Sequence, residues 1–282
     1  MRQLTTLKTA AALVLALLAN PPGTDALTFT TIDFPGATAT FASKINAAGQ
    51  IVGGFRDASG NDRGFLLDSG TFITIDFPGA VATTAYGINP AGEIVGVYVD
   101  PAAVTHAFLL AHGEFTAIDF PGSTSTEAFD INARGEIVGR YNDASGAVHG
   151  FLLSKGTFAS LDPPGAGYSQ AIGINARGQI VGGFEPPGHH GFIFDNDAFA
   201  LVDFPGGLAT DALGIDAAAR IVGRYVDAGS VLQGFLRHEA GFVTIAPPGS
   251  TFTEAIGINA SGDIVGDYVD ASGTMHGFLV TQ

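Results

Sequence analysis

Four histidines stand at one recurring place, each directly ahead of a Gly/Ala-Phe-Leu/Ile segment: His106, His149, His190 and His276. Imidazole is the commonest side-chain metal ligand, so such a column invites a metal site. Acids form two further columns. Asp33, Asp76, Asp119, Asp162 and Asp203 precede a Phe/Pro-Pro-Gly turn, and Asp57, Asp100, Asp143, Asp227 and Asp270 open a second turn. Gathered on one rim, they would make a negative face for a cation or a basic partner. Taken singly, each is an Asp whose side chain caps its own turn, and recurrence in nearly every copy favours that role. One column varies instead: Phe41, Thr84, Glu127, Gln170, Asp211 and Glu254, five residues after the Gly of each Pro-Gly or equivalent pair. A repeated residue serves the repeat, whereas a varying one is free to serve a ligand. Thr84, Glu127, Gln170, Asp211 and Glu254 are therefore the candidate ligand-binding residues, suited to a small polar ligand. The carboxylates Glu127, Asp211 and Glu254 could alternatively hold calcium, a cation of oxygen ligands.

Other chemistries are excluded or unsupported. The chain has 282 residues, no Cys, and 12 Lys+Arg against 27 Asp+Glu, a formal net charge of −15. Without Cys there are no disulfides, thiolate metal sites or Cys nucleophiles. A strongly acidic chain with no Lys/Arg run lacks the electrostatic footprint for nucleic acid. With 46% hydrophobic residues it has ample surface to bury and is not a disordered polymer. No Ser sits in a nucleophile-elbow context, no Gly-rich phosphate loop precedes a helix, and no His-Glu-x-x-His occurs. No catalytic residue is assigned. Trp is absent, which removes the favoured sugar-stacking side chain, although Tyr86 and Tyr168 could take that part.

The elements that must position these residues come from an internal repeat. Phe29-TTIDFPG returns at Phe72, Phe115, Phe158, Phe199 and Phe242, at spacings of 43, 43, 43, 41 and 43 residues. Each copy continues through an Ala-x-Gly-Ile-Asn-like stretch, a turn, Ile-Val-Gly-x-Tyr/Phe, a second turn and the His-Gly-Phe-Leu-like segment. Apolar residues alternate and Val, Ile, Phe and Tyr dominate, so each copy reads as four short strands. Asn46 to Gly49 and Asp57 to Gly60 are tight hairpins, opened by a side chain that bonds the backbone ahead and closed by a left-handed Gly. The fold expected is all-β: a six-bladed β-propeller of four-stranded antiparallel blades. Pro cannot donate to a ladder, which puts the FxTIDFPG strand outermost and the Ala-x-Gly-Ile-Asn strand innermost. The N-terminal strand then completes the last blade and closes the ring. A parallel β-helix is the competing architecture. On the inner strand, small residues (Ala85, Gly87) should line one side and large ones (Tyr86, Ile88) the other.

This framing places the histidines on the third strand out, roughly 12 Å or more from their neighbours by strand spacing alone. They cannot share a metal that binds at about 2 Å, and each is expected to bond the backbone of its own blade. Gly139 is expected at a tight blade contact.

The GIN-x-x-G-x-IVG-x-Y segment followed by HAFL or HGFL, with His106-Ala107-Phe108 as its fullest match, resembles the HAF-type probable extracellular repeat family. The resemblance spans all six copies, although Arg63 and Gln233 replace His in two. It implies an exported repeat protein and supplies no catalytic residues.

Residues 1–26 read as a signal peptide: Arg2 and Lys8, an apolar run from Ala10 to Ala19, a Pro-Pro-Gly breaker, and a small residue at Ala26 (or Ala19) for cleavage. The propeller then occupies 27–282, with no transmembrane segment after cleavage. The function read from the sequence is a secreted (extracellular or periplasmic), non-enzymatic binding or surface-interaction module, monomeric, without a cofactor. Its partner would be a polysaccharide, a protein or a small polar ligand. The alternatives are a calcium-dependent hydrolase or lyase using the axial carboxylates, and a structural matrix protein.

Overall fold

The computed structural model describes residues 27–185 and 188–281, so the expected signal peptide at 1–26 lies outside the described residues. All regular structure among the described residues is β, in 24 strands. Pairing yields five sheets, four of four strands and one of eight. In the eight-stranded sheet, two antiparallel four-stranded units are joined by a single parallel pair, Val148 with Tyr168. The chain thus forms antiparallel four-stranded units in a β-propeller arrangement. Unit 1 spans 39–75, unit 2 spans 82–118, unit 3 spans 125–160, unit 4 spans 168–201 and unit 5 spans 209–245. Unit 6 joins 252–281 to the N-terminal strand Thr28–Ile32.

Within each unit the strands are ordered as they occur, the first innermost. The first strands of successive units touch one another, and Phe252–Ile258 of unit 6 touches Ala39–Ile45 of unit 1. The strand ahead of each Pro-Gly turn is outermost, as expected, although the Pro lies in the turn and not in the strand. The strand Thr28–Ile32 is laid antiparallel on Met275–Thr281, from Thr28 opposite Thr281 to Ile32 opposite Gly277. Thr31 Oγ1 and Tyr268 OH share a 3.0 Å hydrogen bond across that seam.

The core lies between units. One buried cluster joins Val95, Ala107 and Ile118 of unit 2 to Ala128, Ile137 and Phe151 of unit 3. Another joins Ile32 and Val265 of unit 6 to Ala42, Ile51 and Phe65 of unit 1. Each unit contributes one fully buried Phe from its third strand: Phe65, Phe108, Phe151, Phe192, Phe235 and Phe278. Room for that ring is made by the Gly of the Ile-Val-Gly strand. A Cβ on Gly139 would overlap Glu127 O and come within 2.7 Å of Phe151 Cε1. The contact is therefore inside one unit, between its first three strands, rather than between blades as the sequence suggested.

Neighbouring units are also tied by polar bonds at the first hairpin. Asn46 Oδ1 accepts from Ala48 N and Gln50 N, closing its own turn, while its Nδ2 donates to Asn89 O of the next unit at 3.2 Å. Asn89, Asn132, Asn175 and Asn259 repeat this donation to the following unit, Asn259 reaching Asn46 O at 3.5 Å. Unit 5 carries Asp216 there, whose side chain has no N–H to give. Arg220 substitutes, with Nε donating to Asp216 Oδ2 at 2.6 Å and Nη2 to Ala260 O at 3.2 Å.

The inner strand departs from plain alternation. Its register shifts in every unit, between Ala85 and Gly87 in unit 2 and at the equivalent place elsewhere. A bulge leaves one residue out of the ladder and re-aims its side chain. The residues so displaced, Ser43, Tyr86, Phe129, Ile172, Leu213 and Ile256, all line one cavity at the axis. The expected two-sided pattern of small and large residues fails here because a bulge adds a residue that no period-2 reading contains.

Replacing Gly139 by Val should destabilise the protein by about 3 kcal/mol or more, since the added bulk meets backbone as well as a ring. Chemical denaturation measures this, and an unchanged midpoint would show that the Phe151 contact can open without cost.

Candidate functional site

The next position along the inner strand is Gly in units 2, 4, 5 and 6 (Gly87, Gly173, Gly214, Gly257), because neighbouring strands run too close for a side chain. A Cβ on Gly257 would lie 2.9 Å from Lys44 Cα, and one on Gly87 would lie 2.7 Å from Asp130 Cα. Units 1 and 3 break the column with Lys44 and Asp130. The two meet across the axis, Nζ to Oδ2, at 3.2 Å. Lys44 Nζ also donates to Leu213 O at 2.8 Å and Ile256 O at 3.4 Å. Asp130 accepts from Ile131 N at 2.9 Å and Ile174 N at 3.1 Å. Burial holds the Asp130 carboxyl above its ordinary range although Lys44 opposes that rise. The pair spans five units and stands between two axial mouths, Lys44 lining both. Sequence reasoning missed it. The signal was two charges in an otherwise glycine column, hidden because attention went to the column three residues earlier.

That earlier column does converge on an axial cavity of about 240 Å³, where Glu127, Gln170 and Glu254 join Tyr86, Phe129 and Arg140. A connected cavity of about 260 Å³ takes in Phe41, Thr84 and Asp267 and shares Tyr86 and Glu254 with the first. Asp211 is drawn elsewhere. Buried at 3% exposure, it accepts from Arg224 Nε at 2.8 Å and from His189 Nε2 at 2.6 Å.

Arginines, unremarked in the sequence, organise the charge. Arg140 Nη2 donates to Glu127 Oε1 at 2.7 Å, its Nη1 to Tyr168 OH at 3.2 Å, and its guanidinium carbon lies 5.7 Å from the centre of the Phe129 ring. Arg224 bridges Asp211 and Glu254. Burial works against both guanidinium charges, but the facing carboxylates outweigh it and hold both pKa values above normal. Glu127, Asp211 and Glu254 are thus each held by a cation, and calcium would have to displace Arg140 or Arg224 to reach them. Tyr86 stands edge-on to Phe129, centroids 5.5 Å apart at 79°. Burial, then the charge on Glu127, pushes its hydroxyl up to about 12, so it stays protonated as a donor.

The histidine column, expected to bond backbone, finds the acids of the outer strand. His106 Nδ1 reaches Asp119 at 3.1 Å, His149 Nδ1 reaches Asp162 at 3.0 Å, His190 Nδ1 reaches Asp203 at 2.9 Å and His276 Nδ1 reaches Asp33 at 2.9 Å. Arg63 does the same for Asp76. Each imidazole thereby pins the acid of the outer strand to the third strand. Unit 5 shows the dependence: Gln233 replaces the His and Ala246 replaces the acid. The acids of the second hairpin cap their own turns, Asp57 accepting from Ser59 N at 2.8 Å and Asn61 N at 2.9 Å. The first set of acids therefore serves the blade by pairing rather than by capping. Among the described residues no group of three or more His, Asp or Glu is placed to hold a metal ion, and no helix is long and apolar enough to cross a membrane.

No family model and no curated protein matches the chain. Solved structures do. A fungal lectin from Aleuria aurantia, described as a six-bladed β-propeller with a novel fucose recognition mode, superposes with a TM-score of 0.53 at 14% identity, covering 86% of this chain and 91% of that one. AofleA from Arthrobotrys oligospora gives 0.56 at 12% identity, covering 92% and 88%. TolB from Acinetobacter baumannii gives 0.59 at 12% identity, covering 83% of this chain and 64% of that one. At such identities the likeness is one of fold.

Removing Lys44 alone strands a buried carboxylate and should cost about 3–5 kcal/mol. Lys44→Gly with Asp130→Gly restores the glycine column of the other units and should recover a large part of that loss. Denaturant titration of Lys44→Gly against the double variant decides it, and equal stabilities would show that the pair is not a coupled unit. A second expectation concerns pH. Hydrogen bonding to Asp211 raises the His189 pKa from 6.5 to about 9 against the opposing effect of burial. A raised folded-state value stabilises fully below about 6.5 and loses its effect as pH climbs through 9. The His189 side chain is 23% exposed, so screening limits the amplitude to about 1 kcal/mol or less. The melting temperature should decline over this window, and His189→Gln should flatten the decline.

Proposed function

We propose that this chain is an exported, non-enzymatic carbohydrate-binding module of the HAF-repeat kind, a closed six-bladed propeller whose ligand sits at the axial mouth. Six closed blades are supported by the single bridge that links units 3 and 4, and by the cyclic contact of inner strands from unit 6 back to unit 1. The apolar cluster shared by units 6 and 1 supports the same closure. The lectin-like neighbours agree with that architecture, and the fucose recognition described for one of them lends the ligand class.

The observation that carries the reading is the convergence of Glu127, Gln170 and Glu254 with Tyr86, Phe129 and Arg140 around one cavity. Sugars present apolar C–H faces edged by hydroxyl groups. Aromatic walls cover the faces, and fixed carboxylate, amide and guanidinium groups meet the hydroxyls without reorganising. The ion pairs hold those groups in place, which cuts the ordering cost of binding.

A glycan array probed with the full chain, followed by calorimetry on the best ligand, tests this. Tyr86→Ala should weaken binding at least tenfold, about 1.4 kcal/mol. Absence of any glycan binding, or binding indifferent to Tyr86, would overturn the assignment.

A further inference from the structure

In units 3 and 5 the acid of the variable column lies directly opposite an arginine on the second strand: Glu127 opposite Arg140, and Asp211 opposite Arg224. The same pairing in unit 6 sets Glu254 opposite Asp267. Two acids stand where units 3 and 5 put an acid and a cation, an arrangement that is unfavourable for directly facing strand residues. Glu254 is rescued by Arg224 of unit 5. Asp267 is not. It is 5% exposed, and its Oδ1 is a buried side-chain oxygen with no hydrogen-bond partner.

An uncompensated buried carboxyl costs several kcal/mol and is uncommon in folded proteins. Here it lines the cavity of about 260 Å³ that opens beside the axial mouth, walled by Phe41, Phe55 and Tyr86. An acid together with aromatic walls suits a cation carried on a small polar body, drawn both to the carboxylate and to the rings.

Resting on the carbohydrate reading above, we propose that the ligand is an amino sugar, its ammonium group seated against Asp267 in the role that Arg140 and Arg224 fill in units 3 and 5. The ammonium meets the Asp267 carboxyl from the cavity side, and the sugar ring extends past Tyr86 into the axial mouth. Burial first, then the charge on Glu254, holds the Asp267 carboxyl well above its ordinary range, while Arg224 opposes the rise. Across the cavity the charged and titratable groups are Arg56, Asp62 and Tyr86. Seating an ammonium beside Asp267 therefore shifts it toward its ionised form, the displaced proton passing to solvent.

Calorimetry of the full chain with glucosamine, glucose and N-acetylglucosamine tests the assignment. Glucosamine should bind at least tenfold more tightly than the two neutral sugars. Its heat should vary with the ionisation enthalpy of the buffer, as proton release demands. Asp267→Asn keeps the shape and should erase both the preference and the buffer dependence. If that variant fails to fold, Asp267→Gly, the residue of units 1 and 4 at this position, serves instead. Equal affinity for glucosamine and glucose, or a preference that survives at position 267, overturns the amine assignment. If glycan binding remains sensitive to Tyr86 in that event, the carbohydrate reading stands without it. If no sugar binds in either assay, both fall.

Discussion

The structure depends on apolar surface that exists only between neighbours. A four-stranded unit buries its third-strand Phe against its own glycine, and its buried apolar clusters are completed by residues of the unit before it. Ile32 and Val265 need Ala42 and Phe65 as much as Val95 needs Ala128. A small sheet alone would leave both faces wet and would be marginal in water. Stability is therefore a property of adjacency. The Asn amides at the first hairpin add direction to it, each closing its own turn and handing one hydrogen bond onward.

Close approach at the axis follows from the same packing and decides what side chains can do there. Glycine is enforced where inner strands nearly touch, and the bulge immediately before it throws one side chain per unit toward the axis. Apart from Asp267, the charges in this narrow space are compensated: Lys44 with Asp130, Arg140 with Glu127, Arg224 with Asp211 and Glu254. Removing charges from water is costly unless each finds a partner. The axial residues thus form a connected electrostatic set, in which Asp267 is the member that the protein itself leaves uncompensated.

The repeat, the strand order within each unit and the seam at Thr28–Ile32 were legible in the sequence because period, Pro placement and turn chemistry each act locally. The variable column was legible for the same reason, and Glu127, Gln170 and Glu254 do meet at one cavity. What escaped was relational. Whether His149 would find backbone or carboxylate depends on how far the outer strand lies from the third, a distance that spacing along the chain does not contain. The bulge at Tyr86 is one residue of register slip in an otherwise regular strand. The pairing of Lys44 with Asp130, 86 residues apart, required knowing that units 1 and 3 face each other across an axis. Column comparison flags both as exceptions among glycines, but only the fold makes them partners.

The seam between Thr28–Ile32 and Met275–Thr281 carries a mechanical meaning. Antiparallel pairing with Thr28 opposite Thr281 brings the polypeptide into and out of the molecule at one spot on the perimeter. Tension drawn through those two flanks loads the ladder one rung at a time, as in opening a zipper, instead of shearing all rungs together. An attachment made on either flank would hold the molecule by its edge with both axial openings clear.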